Sequence, residues 1–266
     1  MVEETMTNQK IDAGKQFDFG LTSQNYAKFR DIYPREFYER IVRKGLCVRG
    51  QKLLDIGTGT GVLPRNMAEW GADWTGTDIS ENQIREAERL SREAGLEIDF
   101  RVSGAESLDF ADATFDVVTA CQCFWYFDYK KIAPVLHRVL KPRGKLVVLC
   151  MEWLPFEDAV AAASEELVLK YNPAWTGGGS VKEPIHIPSE MLDYFSLESH
   201  EEYDLAVPFT REKWNGRMKT CRGIGASLPP EKIAEWEAEH LALLEKIAPE
   251  SFTVAHYAAL AVLAAK

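Results

Sequence analysis

The chain has 266 residues, of which 46% are hydrophobic and 27% charged, and carries a formal charge of -10. That length allows one large domain, or one domain with a sizeable insertion, and buries a full core without disulfide or metal staples. The acidic balance, with no block of Lys and Arg, argues against a nucleic-acid or an anionic-membrane partner.

There are five cysteines: Cys47, Cys121, Cys123, Cys150 and Cys221. An odd number in a long chain, mostly in apolar surroundings, reads as reduced thiols used as small hydrophobes. Cys121-Gln122-Cys123 lacks the spacing of a zinc knuckle, and no metal site is expected. The opening residues are polar, so residues 1–24 are expected to be a flexible segment with no signal peptide. No apolar run reaches the roughly 18 residues of a membrane helix, and the expected location is the cytoplasm.

In chain order, "PREFYERIVRKGL" (34–46) has Pro at a first-turn position and apolar residues at helical spacing, which predicts a helix. "KLLDIG" (52–57) is a short buried strand, 62–70 a helix stopped by Gly71, and "DWTGTD" (73–78) the next strand. Ser80 caps a helix that ends at Gly95, with Gln83 placed as in a capping box. Strands over 97–102 and 115–121 follow, then a helix over 129–140 and a strand over 144–151 introduced by the turn "KPRG". Short apolar strands alternating with helices predict a parallel sheet covered on both faces.

After Met151 the rhythm changes. Helices are predicted over 156–171, 187–195, 211–223 and 229–247, with a strand over 197–207. "NPAWTGGGS" reads as a flexible turn region. The closing "TVAHYAALAVLAAK" is rich in alanine, which favours helix, but its place at the end of an α/β chain favours a strand.

The motif that carries chemistry is "LLDIGTGTG" (53–61), with glycine at 57, 59 and 61. Glycine lets a backbone turn sharply and approach a ligand closely. Between a strand and a helix such a loop cradles a ligand. A nicotinamide-type fingerprint wants G-x-G-x-x-G; here the spacing is G-x-G-x-G, preceded by Asp55. Asp78 ends the next strand, where a carboxylate can accept both hydroxyls of a ribose. Ala105 and Glu106 follow the third strand, where an adenine edge would lie.

Together "LLDIGTGTGVLPRNMAEWGADWTGTDIS", "GAESLDFADATFDVV" and "HRVLKPRGKLVV" resemble the class I S-adenosylmethionine-dependent methyltransferases over about residues 50–150. The resemblance implies an α/β fold: a Rossmann-like, doubly wound seven-stranded sheet, last strand antiparallel, with a mostly helical lid insertion. It divides the chain into a cofactor-binding core over 25–152, a lid and acceptor region over 153–250 with one core strand near 197–207, and a last core strand over 251–266. It implies S-adenosyl-L-methionine as cofactor, with Gly57, Thr58 and Gly59 against the methionine part and Asp78 on the ribose. Ile79 would pack on the adenine, Ala105 and Glu106 lie by its edge, and Gln122 belong to the same site. Asp55 would reach the cofactor's amine or order the loop.

"NYAKFRDIYP" (25–34) is similar to a stretch of small-molecule methyltransferases such as the trans-aconitate methyltransferase-like group. Tyr26 and Arg30 share a helix face, and Arg30 suits a carboxylate of the cofactor or of the acceptor. Those relatives often carry a His-Trp-Phe run after strand four; here it is Trp125-Tyr126-Phe127. Without that His the candidate catalytic residues are Trp125, Tyr126 and His186. The insertion holds Trp153, Trp175 and Trp214, with Arg217 and Arg222 nearby. Trp125, Tyr126, Trp175, His186, Trp214 and Arg217 are the expected walls of an acceptor pocket. The expected function is methyl transfer to a small organic metabolite. The rival readings are a non-catalytic S-adenosylmethionine binder and a nicotinamide-dependent oxidoreductase, the latter disfavoured by the glycine spacing.

Overall fold

The computed structural model describes residues 11–266. Seven strands form one sheet in the order β3-β2-β1-β4-β5-β7-β6: β1 (Lys52–Ile56), β2 (Asp73–Asp78), β3 (Asp99–Val102), β4 (Phe115–Cys121), β5 (Leu140–Trp153), β6 (Phe195–Thr210) and β7 (Ser251–Ala265). β1 to β5 pair in parallel, with Asp55 opposite Gly76 on one side and Thr119 on the other, and the last strand is antiparallel. The order reverses between β1 and β4, so the crevice at the carboxyl ends of these strands is the place where such sheets take ligands.

The helices form where the sequence punctuates them. In α4 (Glu81–Glu93) the Ser80 hydroxyl accepts the Gln83 N–H, and Gly95 follows in the left-handed region at φ 67°. In α5 (Tyr129–Val139) Asp128 caps the Lys130 N–H, and Ile132, Ala133, Leu136 and Val139 turn inward. β5 is longer than the expected 144–151. "KPRG" does not end a turn but forms an irregular start of the strand, with Phe115 paired to Leu140, a register shift, and Arg143 at φ 64°. The alanine-rich terminus is strand β7, buried along most of its length.

The chain divides into two compact units. One holds Tyr33–Met151, Pro184–Tyr203 and Ala258–Lys266. Its core runs from Leu54, Val118 and Leu146 on the central strands through Ile132 and Leu136 of α5 to Met191, Phe195, Ala261 and Leu263. This cluster continues past Met151 into β6 and β7, so residues after 151 complete the core that the glycine loop stands on.

The other unit holds the described residues through Ile32, Glu152–Glu183 and Asp204–Tyr257. It is built on α1 (Ser23–Phe29), α6 (Ala159–Tyr171), α8 (Arg211–Lys219) and α9 (Pro230–Ile247). These boundaries differ from the expected division at 24/25 and 152/153, because α1 packs on α8. The expected flexible segment 1–24 falls partly outside the described residues. From Asp12 onward it is anchored: the Arg222 guanidinium donates to the buried Asp12 carboxylate at 2.6 Å, and the Thr176 N–H donates to the same carboxylate at 2.7 Å. The "WTGGGS" loop is likewise held, with the Gly179 N–H donating to Glu165 at 2.8 Å.

Two expected pocket walls belong to this unit's core instead. Trp214 is fully buried: its indole N–H donates to Ser164 Oγ at 2.9 Å, and its ring meets Phe209 edge-on. Trp175 is 5% exposed, and a Cβ on Gly223 would lie 2.8 Å from its ring. Both aromatics fill the space between helices, which sequence alone does not separate from lining a pocket. Beside Trp214, His240 is buried between Ser164 and Asn215, and burial pushes its pKa down to about 3.

Candidate active site

The glycine loop follows β1. Gly57, Gly59 and Gly61 all adopt positive φ, at 61°, 56° and 71°. Two of them are also required by packing. A Cβ on Gly57 would stand 2.9 Å from Cys123 at the end of β4, and one on Gly61 would stand 2.7 Å from the Phe100 ring on β3. The loop is therefore drawn in on both sides by the strand ends. The Thr58 N–H donates to the Thr77 carbonyl at 2.9 Å and fixes the loop against β2.

Asp78 lies at the carboxyl end of β2. Its Oδ2 accepts the Gly59 N–H and its Oδ1 the Ser80 N–H, each at 2.9 Å. One carboxylate thus orients both the glycine loop and the start of α4. Ile79 lies beside the next loop, 3.5 Å from the position of a Cβ on Gly104. Ala105 is buried there, and Glu106 accepts the Asp128 N–H at 3.3 Å, tying the end of β3 to the start of α5.

Gln122 follows β4 at φ 61°, an uncommon conformation for a residue with a side chain. Its backbone N–H donates to Leu149 at 2.9 Å, and its side-chain amide donates to the Met151 carbonyl. This local strain, held by two bonds to β5, marks the end of β4 as a constrained site. Trp125, 36% exposed, and the partly buried Tyr126 form the next turn, their ring centroids 5.8 Å apart.

Asp55 is buried under the loop, and its carboxylate accepts the Thr119 hydroxyl at 2.6 Å. Burial pushes its pKa up to about 7, against the hydrogen bonds from Thr119 and Thr58 that favour the ionised form; the charge of Asp78 adds to the rise.

Asp55, Gly57, Thr58, Gly59, Asp78, Ile79, Ala105, Glu106 and Gln122 thus come together at adjacent strand ends of one unit, with Trp125 and Tyr126 beside them. His186 belongs to the same unit but is exposed, which does not suit an enclosed base. Tyr26 and Arg30 lie in the other unit. There the Arg30 guanidinium stacks on the Tyr26 ring at 4.6 Å and donates to the Thr220 hydroxyl and carbonyl, each at 3.0 Å. Arg217, in the same unit, is 4% exposed and stacks on Trp153 at 4.7 Å.

Glu152 escaped the sequence reading. It follows Met151 directly in β5, and arginines 30, 217 and 222 act on its charge. The signal was present as a single acid inside the apolar strand run "VVLCMEW".

Comparison with known proteins identifies relatives of this chain. The family described as a methyltransferase domain matches residues 54–148, the span from β1 into β5. A ubiquinone biosynthesis O-methyltransferase of Cereibacter sphaeroides is 31% identical over 185 residues, covering 69% of this chain and 74% of that protein. One of the same name from Ruegeria pomeroyi is 32% identical over 156 residues, covering 58% of this chain and 62% of its own. The chain thus spans less than two thirds of the length of the Ruegeria relative. Among solved structures, the [4+2]-cyclase SpnF superposes with a TM-score of 0.56 at 18% identity over 93% of both chains. A Haemonchus contortus phospholethanolamine N-methyltransferase, in complex with phosphomonomethylethanolamine and S-adenosylhomocysteine, gives 0.54 at 20% identity over 97% of this chain and 58% of its own. The chain belongs to the class I methyltransferase family. A cyclase and a methyltransferase on one fold mean that the fold alone does not decide the chemistry.

Proposed function

We propose that the chain transfers the methyl group of S-adenosylmethionine to an oxygen of a small organic acceptor. The observation that carries this reading is the convergence of Gly57–Gly61, Asp78, Glu106 and Gln122 at neighbouring strand ends of one unit. The donor set suits the cofactor. Asp78 puts a carboxylate at the end of β2 where ribose hydroxyls can donate to it, Ile79 offers an apolar side chain to an adenine, and the positive-φ glycines at 57 and 59 let the backbone turn closely past the methionine part. When bound, S-adenosylmethionine supplies a methyl group made electrophilic by its sulfonium.

The relatives' names support oxygen as the methylated atom. Charge supports a small acceptor over a nucleic acid, because the chain carries -10 and a polyanion would be repelled. The described helices include none long and apolar enough to cross a membrane. The test is titration calorimetry with S-adenosylmethionine, S-adenosylhomocysteine and NAD, followed by transfer of labelled methyl to a panel of phenols, carboxylates and amines. Micromolar binding of the first two, none of NAD, and label on an oxygen are expected. Binding of NAD alone would replace the reading with an oxidoreductase. Binding of S-adenosylmethionine without transfer to any small molecule, oligonucleotide or lysate protein would leave a non-catalytic binder.

A further inference from the structure

Residues 180–188 form neither helix nor strand, and within them the chain leaves one unit at Glu183 and enters the other at Pro184. The segment is tied on both sides of that crossing. In the first unit the Tyr257 hydroxyl donates to the Glu183 carbonyl at 2.8 Å. In the second, Ile185 and Ile187 turn against the apolar core while His186 between them is exposed. The Ile185 N–H has an acceptor unlike the carbonyl that most backbone groups find. It donates to Nε2 of His200 on β6 at 3.1 Å, and Nδ1 of the same ring stands 3.2 Å from the Glu202 carboxylate. All three residues belong to one unit.

These two contacts fix the state of the ring. A backbone N–H donates only to a lone pair, so Nε2 carries no proton. The single proton of the neutral imidazole is then on Nδ1, where Glu202 accepts it. A carbonyl acceptor would be indifferent to pH, whereas this one disappears when the ring takes up one proton. Protonated Nε2 presents an N–H to the Ile185 N–H, and the bond between them is lost. The new charge stays paired with Glu202, so the change falls on Ile185 rather than on the position of the ring. The other charged groups nearby have partners of their own. On β6, Glu198 pairs with Lys145, and Glu201 with Arg40 and Lys44. On the crossing segment Lys182 pairs with Glu157 and Asp204, and Glu183 and His186 flank Pro184 and Ile185. The stretch of β7 in this unit is followed by Lys266, which donates to the Leu192 carbonyl.

We propose that His200 is a pH-dependent latch on the crossing segment: the neutral ring holds residues 184–188 through the Ile185 N–H, and one proton on Nε2 releases that hold. The latch stands on the fold alone and is independent of the reaction the chain catalyses.

Amide hydrogen exchange of the full chain, resolved at Ile185 by NMR, reads the latch directly. The protection of Ile185, corrected for the intrinsic pH dependence of exchange, should fall about tenfold from pH 8 to pH 5, the interval in which imidazoles ordinarily gain a proton, because one hydrogen bond supports a ratio of that order. The Gln122 N–H, bonded to the Leu149 carbonyl in the same unit, should keep its protection over that interval. In His200→Gln the side-chain amide oxygen accepts at every pH, and the fall at Ile185 should vanish. Level protection of Ile185 in the parent across the interval would overturn the proposal, and so would the same fall in His200→Gln. The ring nitrogens of the parent give a readout that needs no variant and holds should His200→Gln not fold. At pH 8 their shifts should show Nε2 as the unprotonated nitrogen; a proton on Nε2 there would rule the latch out.

Discussion

Two carboxylates beside the glycine loop, one buried and one partly exposed, have different tasks, and each can be tested by one substitution. Asp55 has its pKa raised to about 7, and the first cause is burial. An acid whose folded pKa lies above its unfolded one, about 3.9, binds more protons folded than unfolded in the interval between them. Its ionisation therefore lowers stability progressively as pH rises from about 4 to 7, by a few kcal/mol in all, and the cost is fully present above that window. Asp55→Asn removes the titration but keeps an acceptor for the Thr119 hydroxyl. The melting temperature of Asp55→Asn relative to the parent should thus improve from pH 5 to pH 8. Parallel melting curves across that range would show that Asp55 does not titrate there. Asp78 differs because both of its oxygens already hold backbone N–H groups. Asp78→Ala should weaken S-adenosylmethionine by ~1–3 kcal/mol, through the lost ribose acceptor and the freed Gly59. Unchanged affinity in calorimetry would remove Asp78 from the site.

Loops and strand ends decide more than the elements they join. Gly61 precedes α3 (Val62–Met67) at φ 71°, and a Cβ there meets the Phe100 ring at 2.7 Å. Gly61→Ala combines left-handed strain with an overpacked contact, and should lower stability by ~2–4 kcal/mol in denaturant unfolding. A loss under 1 kcal/mol would mean that Phe100 moves aside freely. In the other unit, Asp12→Ala leaves the buried Arg222 without its carboxylate and should cost about 3–5 kcal/mol, although residue 12 stands in a segment that reads as a loose terminus. An unchanged midpoint would mean that the terminus is free to leave. The strand–helix rhythm from β1 to β5, the Ser80 cap and the stop at Gly95 were legible because each rests on local chemistry, namely apolar runs, capping hydroxyls and residues tolerant of positive φ. The clustering of Asp55, the glycines, Asp78, Glu106 and Gln122 was legible for the same reason, since these residues fall at predictable strand ends. The anchoring of Asp12 and the core positions of Trp175 and Trp214 were not. They depend on partners up to 210 residues away in sequence, as for Asp12 and Arg222, and composition carries no record of such pairings.

Each unit is assembled from separate stretches of chain. The one that carries the glycine loop draws its core from Tyr33–Met151, Pro184–Tyr203 and Ala258–Lys266. The first stretch contains the glycine loop, Asp78, Glu106 and Gln122 and the whole of the matched methyltransferase span. The resemblance places the core over 25–152 and assigns further core strands near 197–207 and over 251–266. The packing shows why the first stretch is not enough by itself. Met191, Phe195, Ala261, Leu263 and Ala265 are buried in the same cluster as Leu136, Leu146 and Val148, and β7 lies next to β5 in the sheet. Cutting the chain after Met151 strips that cluster of its later members and bares the edge of β5, whose open backbone and apolar face favour association with other chains. The expected outcome is that residues 33–151 expressed alone show no cooperative thermal transition and bind a hydrophobic dye, whereas the full chain melts cooperatively and is stabilised by about 2.7 kcal/mol when S-adenosylhomocysteine is present at 100 times its dissociation constant. A fragment that melts sharply and binds S-adenosylhomocysteine as the full chain does would show that β6 and β7 are dispensable to the crevice.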